Sequence, residues 1–568
     1  GKEIIDFKSN EVLESKKMQE KEADFEERKE LPQDVSKDPE EGQNEVDEQE
    51  LENEAKKLQK YTEISYHLDE IYTEIDGSIE SYQMPRYENI TLRFEKVYGE
   101  KPAYYYRAPG RINLLGEHAV ASGYSSIICA LEQDTVIAYA PHKENEIIIN
   151  HTQPSLYPTF TISNDPSQKW KDEVSLINVF LAGYKAVLNG AGLTEFKGMK
   201  LLISGDLPIS AGLGSSSSLM VASALLALHV NGLQKKTLQT TVLENLVKYE
   251  KMLESYASGV DQTVTLLAQK NTAFSIKSDS FEKITLPKGL VFMVTNSLTP
   301  TPKLFTQGTR QNKRIVECRI ALKMLTRKLD IKDSLNIKTL SELQTFLDFN
   351  TKDMLDLLEE HIEKRSYQAA ELEKFFETQL MKVVTDIPNA DAVINQNFDF
   401  FPYHRAYHVL KECERAQKFK ELCEKNSEDV GLQLGNLLNE SQHSAKTMYD
   451  CSSEELEKII TLCQKLGAFG TRMTGGGWGG CCVSLIREKD IQTFRDTIQT
   501  EYFMNPTNGL LISDDLDMYV FPSYAGKGAT IIDPQYEVWY QEKQEIRVDI
   551  KFDLNSILMV CLKTVLIC

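Results

Sequence analysis

The sequence of 568 residues lacks the marks of several large classes of protein. Its ten cysteines form no C-x-x-C pair and no other spacing typical of zinc, so neither a zinc centre nor a thioredoxin-type pair is indicated. No apolar run approaches the roughly 20 residues that cross a bilayer, and the apolar segment 556–568 is interrupted by Lys563. The chain opens on Gly-Lys-Glu, which is charged. We therefore expect no signal peptide and a cytoplasmic protein with free, buried thiols.

Positive charge is also scarce. The chain carries 64 Lys and Arg against 85 Asp and Glu, a net charge of −21, which argues against general nucleic-acid binding and against anchoring on anionic membranes. In residues 1–60, 11 basic residues stand against 20 acidic ones, and only two residues are aromatic. Such a segment cannot bury enough apolar surface to form a core. We expect residues 1–86 to be an acidic N-terminal extension that is disordered or binds a protein partner.

The G-x-x-x-x-G-K-[ST] pattern of P-loop proteins is missing, yet residues 205–219 offer another candidate phosphate loop. They read Gly-Asp-Leu-Pro-Ile-Ser-Ala-Gly-Leu-Gly-Ser-Ser-Ser-Ser-Leu and lead into an apolar segment of helical character. Glycine allows sharp turns, and the N–H groups and dipole of a helix start bind phosphate. The alternative is an ordinary serine-rich N-cap on a core helix. The residues predicted to contact the nucleotide here are Gly212, Leu213, Gly214, Ser215, Ser216 and Ser217.

A second motif occupies residues 107–118, Arg-Ala-Pro-Gly-Arg-Ile-Asn-Leu-Leu-Gly-Glu-His. After a Pro-Gly turn it presents a guanidinium, a carboxylate and an imidazole within eight positions, as Arg111, Glu117 and His118. These groups on one turn can bond sugar hydroxyls or bias a nearby catalytic acid. The alternative is a hairpin with polar groups on the surface.

A third motif, residues 470–482, matches G-x-G-x-x-G. A dinucleotide-binding loop follows a strand and opens a helix, whereas these glycines lead into Cys481-Cys482-Val483-Ser484-Leu485-Ile486, which is typical of a strand. We therefore reject the Rossmann interpretation. We expect a turn at Gly475, Gly476 and Gly477 that lets the backbone pass close to a ligand.

Two carboxylates complete the candidate chemistry. Glu250 lies on a predicted helix over 244–255, and Asp261 follows the small-residue turn Ala257-Ser258-Gly259-Val260. Near a phosphate site, such a pair suits Mg²⁺ ligation and acceptance of a substrate hydroxyl proton. If Arg111 lies beside Asp261, opposite charge keeps that carboxylate ionised. The alternative is two ordinary surface acids.

The pattern along the chain indicates an α+β protein in two lobes. The predicted strands and helices of the first half are strands at 104–112 and 126–141 and helices at 171–193 and 216–231. Residues 300–465 are mostly helical, and 470–532 return to mixed strands and helices. We place the lobes at 87–300 and 301–532, followed by a C-terminal appendage at 533–568.

Taken in order, these segments resemble the GHMP small-molecule kinases. The likeness is carried by Arg-Ala-Pro-Gly-Arg-Ile-Asn-Leu-Leu-Gly-Glu-His, Leu-Pro-x-x-Ala-Gly-Leu-Gly-Ser-Ser, Gly-Val-Asp-Gln and Thr-Gly-Gly-Gly-Trp-Gly-Gly. Within this superfamily the chain is most similar to the eukaryotic galactokinase and N-acetylgalactosamine kinase branch, from about Tyr87 to Ile532. The segments Glu132-Gln133-Asp134 and Met448-Tyr449-Asp450-Cys451 support that placement.

The resemblance implies a ribosomal protein S5 domain 2-like first lobe and a ferredoxin-like second lobe, with ATP and Mg²⁺ bound between them. By position, Ser216 and Glu250 match the Mg²⁺ ligands of the family, and Gly475–Gly477 match its third motif. Asp261 matches the catalytic base, and Arg111 matches the catalytic basic residue beside that base. The positions that match substrate contacts are Arg111, Glu117, His118 and Asp261.

Two positions depart from the family pattern, and both lie on the acceptor side. Similar galactokinases continue Glu-His-x-Asp-Tyr, with an Asp that binds sugar hydroxyls, whereas this chain has Val120 at that position. Gln311 stands where relatives tend to have an aromatic residue near the sugar. Loss of a hydroxyl partner typically costs a few kcal/mol.

Three functions remain open. The first is phosphorylation of the anomeric hydroxyl of galactose or N-acetylgalactosamine. The second is a GHMP kinase with a mevalonate-like acceptor, because Gly-Glu-His-Ala-Val also resembles mevalonate kinases. The third is a nucleotide-binding pseudo-kinase that acts as a structural or regulatory subunit.

Overall fold

The structure is a computed structural model, and it describes most of the chain between residues 64 and 534. The described residues are 64–74, 78–163, 176–193, 196–233, 239–253, 258–277, 280–301, 310–332, 336–385, 387, 390–396, 399–505 and 516–534. Residues 1–63 of the expected partner-binding extension and 535–568 of the expected appendage lie outside this set. None of the helices within it is long and apolar enough to cross a membrane.

Strands and helices occur largely in separate runs, as expected of an α+β protein. The strands are β1 Ile64–Ser65, β2 Tyr104–Leu115, β3 Ser126–Pro141, β4 Glu146–His151, β5 Phe160–Ser163, β6 Met199–Gly205, β7 Thr272–Lys277, β8 Ser280–Thr285, β9 Leu290–Asn296, β10 Gly470–Met473, β11 Cys481–Arg487, β12 Val520–Ser523 and β13 Thr530–Ile532. The α-helices are α1 Met84–Tyr98, α2 Leu176–Gly190, α3 Ser215–Val230, α4 Gln239–Leu253, α5 Val260–Leu267, α6 Asn312–Lys328, α7 Leu340–Phe346, α8 Thr351–His361, α9 Ala369–Phe376, α10 Leu380–Val383, α11 Ala390–Ile394, α12 Pro402–Lys425, α13 Val430–Ser444, α14 Glu454–Lys465 and α15 Ile491–Ile498.

The first lobe is a mixed sheet of nine described strands. Its main path runs β1-β13-β2-β3-β6-β4-β5, and β7 and β8 extend from the start of β3. Because successive side chains of a strand point to opposite faces, Tyr106 packs with α2, α3 and α4 while Tyr105 packs with α1. Helix α3 is buried over Ser217–Leu228, which explains why its sequence is apolar on all sides.

The second lobe is built on an antiparallel sheet of four described strands in the order β10-β11-β9-β12. If the four strands are numbered 1 to 4 in chain order, their order in the sheet is 2-3-1-4. Helices lie between β9 and β10 in the chain, and α15 lies between β11 and β12. That arrangement is ferredoxin-like, as expected. The glycine-rich segment after Met473 joins β10 to β11 as a hairpin, so rejection of the Rossmann interpretation is confirmed.

The expected lobe boundaries are wrong at both ends of the first lobe. The chain from Ile64 onward belongs to that lobe, because β1 pairs in parallel with β13 and Tyr72 is buried among α1 and the sheet. The extension therefore cannot run to residue 86 as predicted. Strand β9 precedes the predicted break at 300 yet lies in the second sheet, and β13 returns to the first. Strand pairing between distant segments decides both boundaries, and local composition does not report it.

Candidate active site

The motifs predicted from sequence meet around one cleft of about 1120 Å³. It lies between the phosphate loop at the start of α3, the end of β2, the start of α5 and the β10–β11 hairpin. The predicted site residues that line it are Arg111, Glu117, His118, Gly212, Leu213, Gly214, Ser215, Ser216, Glu250, Asp261, Gly476 and Gly477. Segments far apart in sequence therefore form one site.

The phosphate loop has the predicted geometry at its glycines and one difference at its serines. Gly212 and Gly214 adopt φ of 78° and 76°, which side chains rarely tolerate, and α3 begins at Ser215. The first N–H groups of α3 are thus available for an anion. We expected Ser217 to contact the nucleotide, but its side chain does not line the cleft. Its side chain turns inward, and its Oγ accepts a 3.5 Å hydrogen bond from Gln262 Nε2, because successive helical residues point about 100° apart.

The third motif packs directly on the phosphate loop. Cys481 N donates to Ala211 O at 2.9 Å. A Cβ on Gly212 would lie 2.7 Å from Thr474 O, and one on Gly475 would lie 2.6 Å from Gly212 O. Gly475 therefore supports the loop backbone rather than lining the cleft. Glycine is required at both positions by this close approach of two backbones.

Arg111 and Asp261 form a bidentate ion pair on the cleft wall. Arg111 Nε donates to Asp261 Oδ1 at 2.8 Å, and Nη2 donates to Oδ2 at 2.6 Å. Asp261 is the second residue of α5, which begins after Gly259 at φ 77°. Burial opposes the charge of Arg111, but the Asp261 carboxylate outweighs it and raises the pKa of Arg111. The expected neighbourhood of these two residues is confirmed.

Two oxygen-bearing side chains line the cleft near the start of α3. Ser216 is the second residue of α3, and the buried Glu250 lies near the end of α4. Both residues line the cleft. A hydroxyl and a carboxylate are hard oxygen donors of the kind that Mg²⁺ prefers, and Mg²⁺ commonly takes one or two such protein ligands beside phosphate oxygens. The donor set fits the expected ion.

The turn that follows β2 presents Glu117 and His118 at the cleft. His118 has φ of 63°, and its Nε2 lies 3.1 Å from Gly476 O. Its ring stacks on Tyr449 with centroids 4.7 Å apart. Burial lowers the pKa of His118 to about 3 and raises the pKa of Glu117 to about 7. His118 is therefore a neutral ring in a fixed position, while Glu117 titrates near neutrality.

Val120 and Gln311 both line the cleft. Val120 follows His118 and packs against a buried apolar cluster that contains Ile128 and Val260. Gln311 immediately precedes α6 and faces the cleft near Gly476. The cleft thus offers an apolar side chain and an amide at these two positions.

Comparisons with known proteins agree with this geometry. Three family models match: the galactokinase galactose-binding signature at residues 92–141, the GHMP kinases N terminal domain at 178–269 and the GHMP kinases C terminal domain at 419–503. The galactokinase of Dictyostelium discoideum is 33% identical over 499 residues, covering 82% of this chain and 96% of its own. The chain belongs to the galactokinase branch of the GHMP kinases. The galactokinase of Saccharomyces cerevisiae is 25% identical over 497 residues, covering 76% and 93%.

A solved member of the family confirms the expected two-lobed fold. The crystal structure of Lactococcus lactis galactokinase complexed with galactose superposes with a TM-score of 0.59 at 22% identity. The match covers 78% of this chain and 99% of that one. The described lobes therefore have the GHMP kinase architecture.

One wall of the cleft escaped sequence analysis. The β4–β5 connection and the start of α2 supply an apolar and aromatic surface beside the phosphate loop: His151, Leu156, Tyr157, Pro158, Phe160, Leu176 and Val179. The rings of His151 and Tyr157 lie 4.3 Å apart, and burial lowers the pKa of His151 to about 4. Its strand was detectable from the Ile147-Ile148-Ile149 run, but no spacing joins that strand to residues 205–219.

Proposed function

We propose that this GHMP kinase transfers the γ-phosphoryl group of ATP to the anomeric hydroxyl of a galactose-type sugar, galactose or N-acetylgalactosamine. The observation that carries the proposal is the Arg111–Asp261 pair, set on the cleft wall beside a helix-start phosphate loop. The names of the relatives and the matched galactose-binding signature favour a sugar acceptor.

Nucleotide binding divides between two parts of the cleft. The N–H groups at the start of α3 and Ser215 would hold the phosphates, and the apolar wall around Tyr157 would cover the base. Ser216 and Glu250 would hold Mg²⁺. When bound, the ion neutralises charge that develops on the phosphate oxygens.

We propose that the Asp261 carboxylate acts on the acceptor. Ionised beside Arg111, it would orient the attacking hydroxyl and accept its proton. Arg111 fixes the carboxylate with two hydrogen bonds, since a guanidinium and a carboxylate match in shape. Transfer then depends mainly on position and charge.

Val120 is the feature that argues for altered acceptor preference. An apolar side chain cannot pair with a sugar hydroxyl, and an unpaired hydroxyl against it weakens binding. We propose that the site tolerates sugars that lack or mask the hydroxyl facing Val120. A mevalonate-like acceptor would gain from the same apolar contact.

ADP release with Mg·ATP tests these proposals against galactose, N-acetylgalactosamine, glucose, arabinose, glucuronate and mevalonate. Turnover with galactose or N-acetylgalactosamine supports the main proposal. Turnover with mevalonate alone replaces it with the second candidate. ATP binding without turnover on any member of the panel points to a nucleotide-binding pseudo-kinase.

A further inference from the structure

Arg472 lies beside the acceptor side of the cleft, yet none of the motif roles above includes it. It is the third residue of β10, and its side chain is fully buried. Nη1 donates to Asn113 O at 3.0 Å and lies 3.7 Å from Glu117 Oε2. The Nε and Nη2 groups form no hydrogen bond with the other residues that the structure describes. A buried guanidinium with unused donors needs an explanation, because leaving such groups unpaired is costly.

Glu117 is the complementary half of this arrangement. It is nine-tenths buried at the cleft wall, and its Oε2 accepts no hydrogen bond within the described part of the chain. Arg111 also faces it, but that guanidinium is bound through two nitrogens to Asp261, whose negative charge opposes ionisation of Glu117. Arg111 and Asp261 together therefore offer Glu117 little net positive charge.

The remaining neighbours do not replace Arg472. Glu412 on α12 adds a further negative charge, and its own counter-charge is Arg415, whose Nε donates to it at 2.7 Å. Burial keeps the other titratable side chains of this pocket uncharged near pH 7, and these are His118, His408 and Cys451. Among the described groups that face Glu117, Arg472 is the cation with no other carboxylate within 4 Å.

We propose that Arg472 is a positioning residue for the acceptor: it pairs with the buried Oε2 of Glu117 and holds that carboxylate at the cleft wall to accept a hydrogen bond from a sugar hydroxyl. The separation of 3.7 Å between Arg472 Nη1 and Glu117 Oε2 is an ion-pair distance but too long for a hydrogen bond, so Arg472 stabilises the charge of the carboxylate from its buried side. The inference rests on the proposed function, since it names a residue that prepares the acceptor site.

Removal of the guanidinium has a defined consequence. Burial is the largest influence on the pKa of Glu117, and Arg472 is the strongest influence against it. In Arg472→Met the pKa of Glu117 rises above about 7, so the side chain is mostly protonated at neutral pH. The sugar site then lacks the charged carboxylate of Glu117 as a hydrogen-bond acceptor. We expect the KM for the sugar to rise roughly 10- to 100-fold at pH 7, with the KM for ATP unchanged.

The experiment measures the titration of Glu117 and the acceptor kinetics in the same proteins. Infrared difference spectra of the carboxyl band, with Glu117→Gln as the blank, give the pKa of Glu117 without any substrate. We expect a higher pKa in Arg472→Met and a smaller rise in Arg472→Lys, which keeps the charge and guards against misfolding. Arg405→Lys is the matched control, because Arg405 is equally buried in the same lobe but pairs with Glu317.

The outcomes separate this inference from the proposed function. An unchanged titration of Glu117 in folded Arg472→Lys and Arg472→Met overturns the inference, as does a shifted titration with unchanged sugar affinity. If the wild-type protein phosphorylates no sugar, calorimetric sugar binding replaces the KM. Sugar binding that weakens in Arg472→Met then supports the inference while the proposed function fails.

Discussion

Strand β2 carries two arginines four residues apart, and each binds an aspartate from a distant segment. Arg107 Nε donates to Asp134 Oδ2 at 2.6 Å, and Arg111 donates to both oxygens of Asp261. The side chains of the first pair are 0% exposed, whereas those of the second are 8% and 19% exposed at the cleft. One strand thus carries two Arg–Asp pairs, of which Arg107–Asp134 lies in the core and Arg111–Asp261 lies at the cleft.

The partners of the first pair show what it does. Asp134 also accepts hydrogen bonds from Tyr72 OH at 2.6 Å and Arg86 Nη2 at 2.7 Å, and Arg107 donates to Gly528 O. It therefore ties together the chain before α1, the long strand β3 and the segment returning through β13. Burial alone would raise the pKa of Asp134, but Arg86 and Arg107 outweigh it and hold that pKa below its usual range. An Arg–Asp pair is evidence of function only when a ligand-sized cleft lies beside it.

The most direct way to break the comparison is to neutralise the aspartate at the cleft. Asp261→Asn is expected to lower kcat by roughly 100- to 10,000-fold, since a general base is lost, with little change in thermal stability. ATP affinity, measured by calorimetry, should stay near the wild-type value. Equal loss of ATP binding would show that Asp261 belongs to the nucleotide site instead.

The same substitution in the core should behave in the opposite way. Asp134→Asn leaves the buried Arg107 guanidinium without its counter-charge and Arg86 paired with Asp206 alone, which costs about 3–5 kcal/mol. Denaturant unfolding measures this loss, and the activity per folded molecule should change little. A stable Asp134→Asn protein that has lost turnover would contradict the distinction between the two pairs.

The parts of the site that sequence could predict are those set by local turn chemistry. Gly212, Gly214 and the start of α3 follow from the residues themselves, because left-handed backbone and helix caps have strong local preferences. Arg111 and Asp261 are 150 positions apart in the sequence, and their contact was expected from the family resemblance. Side-chain direction was harder to predict: the Ser217 side chain points inward and contacts Gln262.

Domain limits and supporting residues depend on pairing and packing, which local patterns do not report. Residues 64–86 contain apolar residues, but no local pattern shows that β1 and Tyr72 join the sheet and core. Arg472 gave no signal in sequence, since its role depends on Glu117 reaching it from another lobe. The aspartate at position 261 was found, whereas its structural counterpart at 134 was visible only as part of a family segment.

A smaller effect is expected on the acceptor side. Val120→Asp adds a hydrogen-bond acceptor beside His118 and should lower the KM for galactose roughly tenfold, although the apolar cluster under Val120 opposes part of the gain. Val120→Asn is the matched control, since it has the same shape without the charge. Unchanged KM values in both variants would show that position 120 does not face the sugar.

The smallest expected effect tests whether the chain before α1 belongs to the fold. Tyr72→Phe removes the hydroxyl that donates to Asp134 Oδ2 but keeps the ring in its buried place, and Asp134 retains both arginines. We expect a loss of about 1 kcal/mol in the free energy of unfolding, and no change in kcat or in either KM. Tyr66→Phe is the control, because the Tyr66 side chain is exposed and should not affect stability. Equal stability of the two variants would mean that the Tyr72 hydroxyl contributes nothing, and the Asp134 network would then reduce to its two arginines.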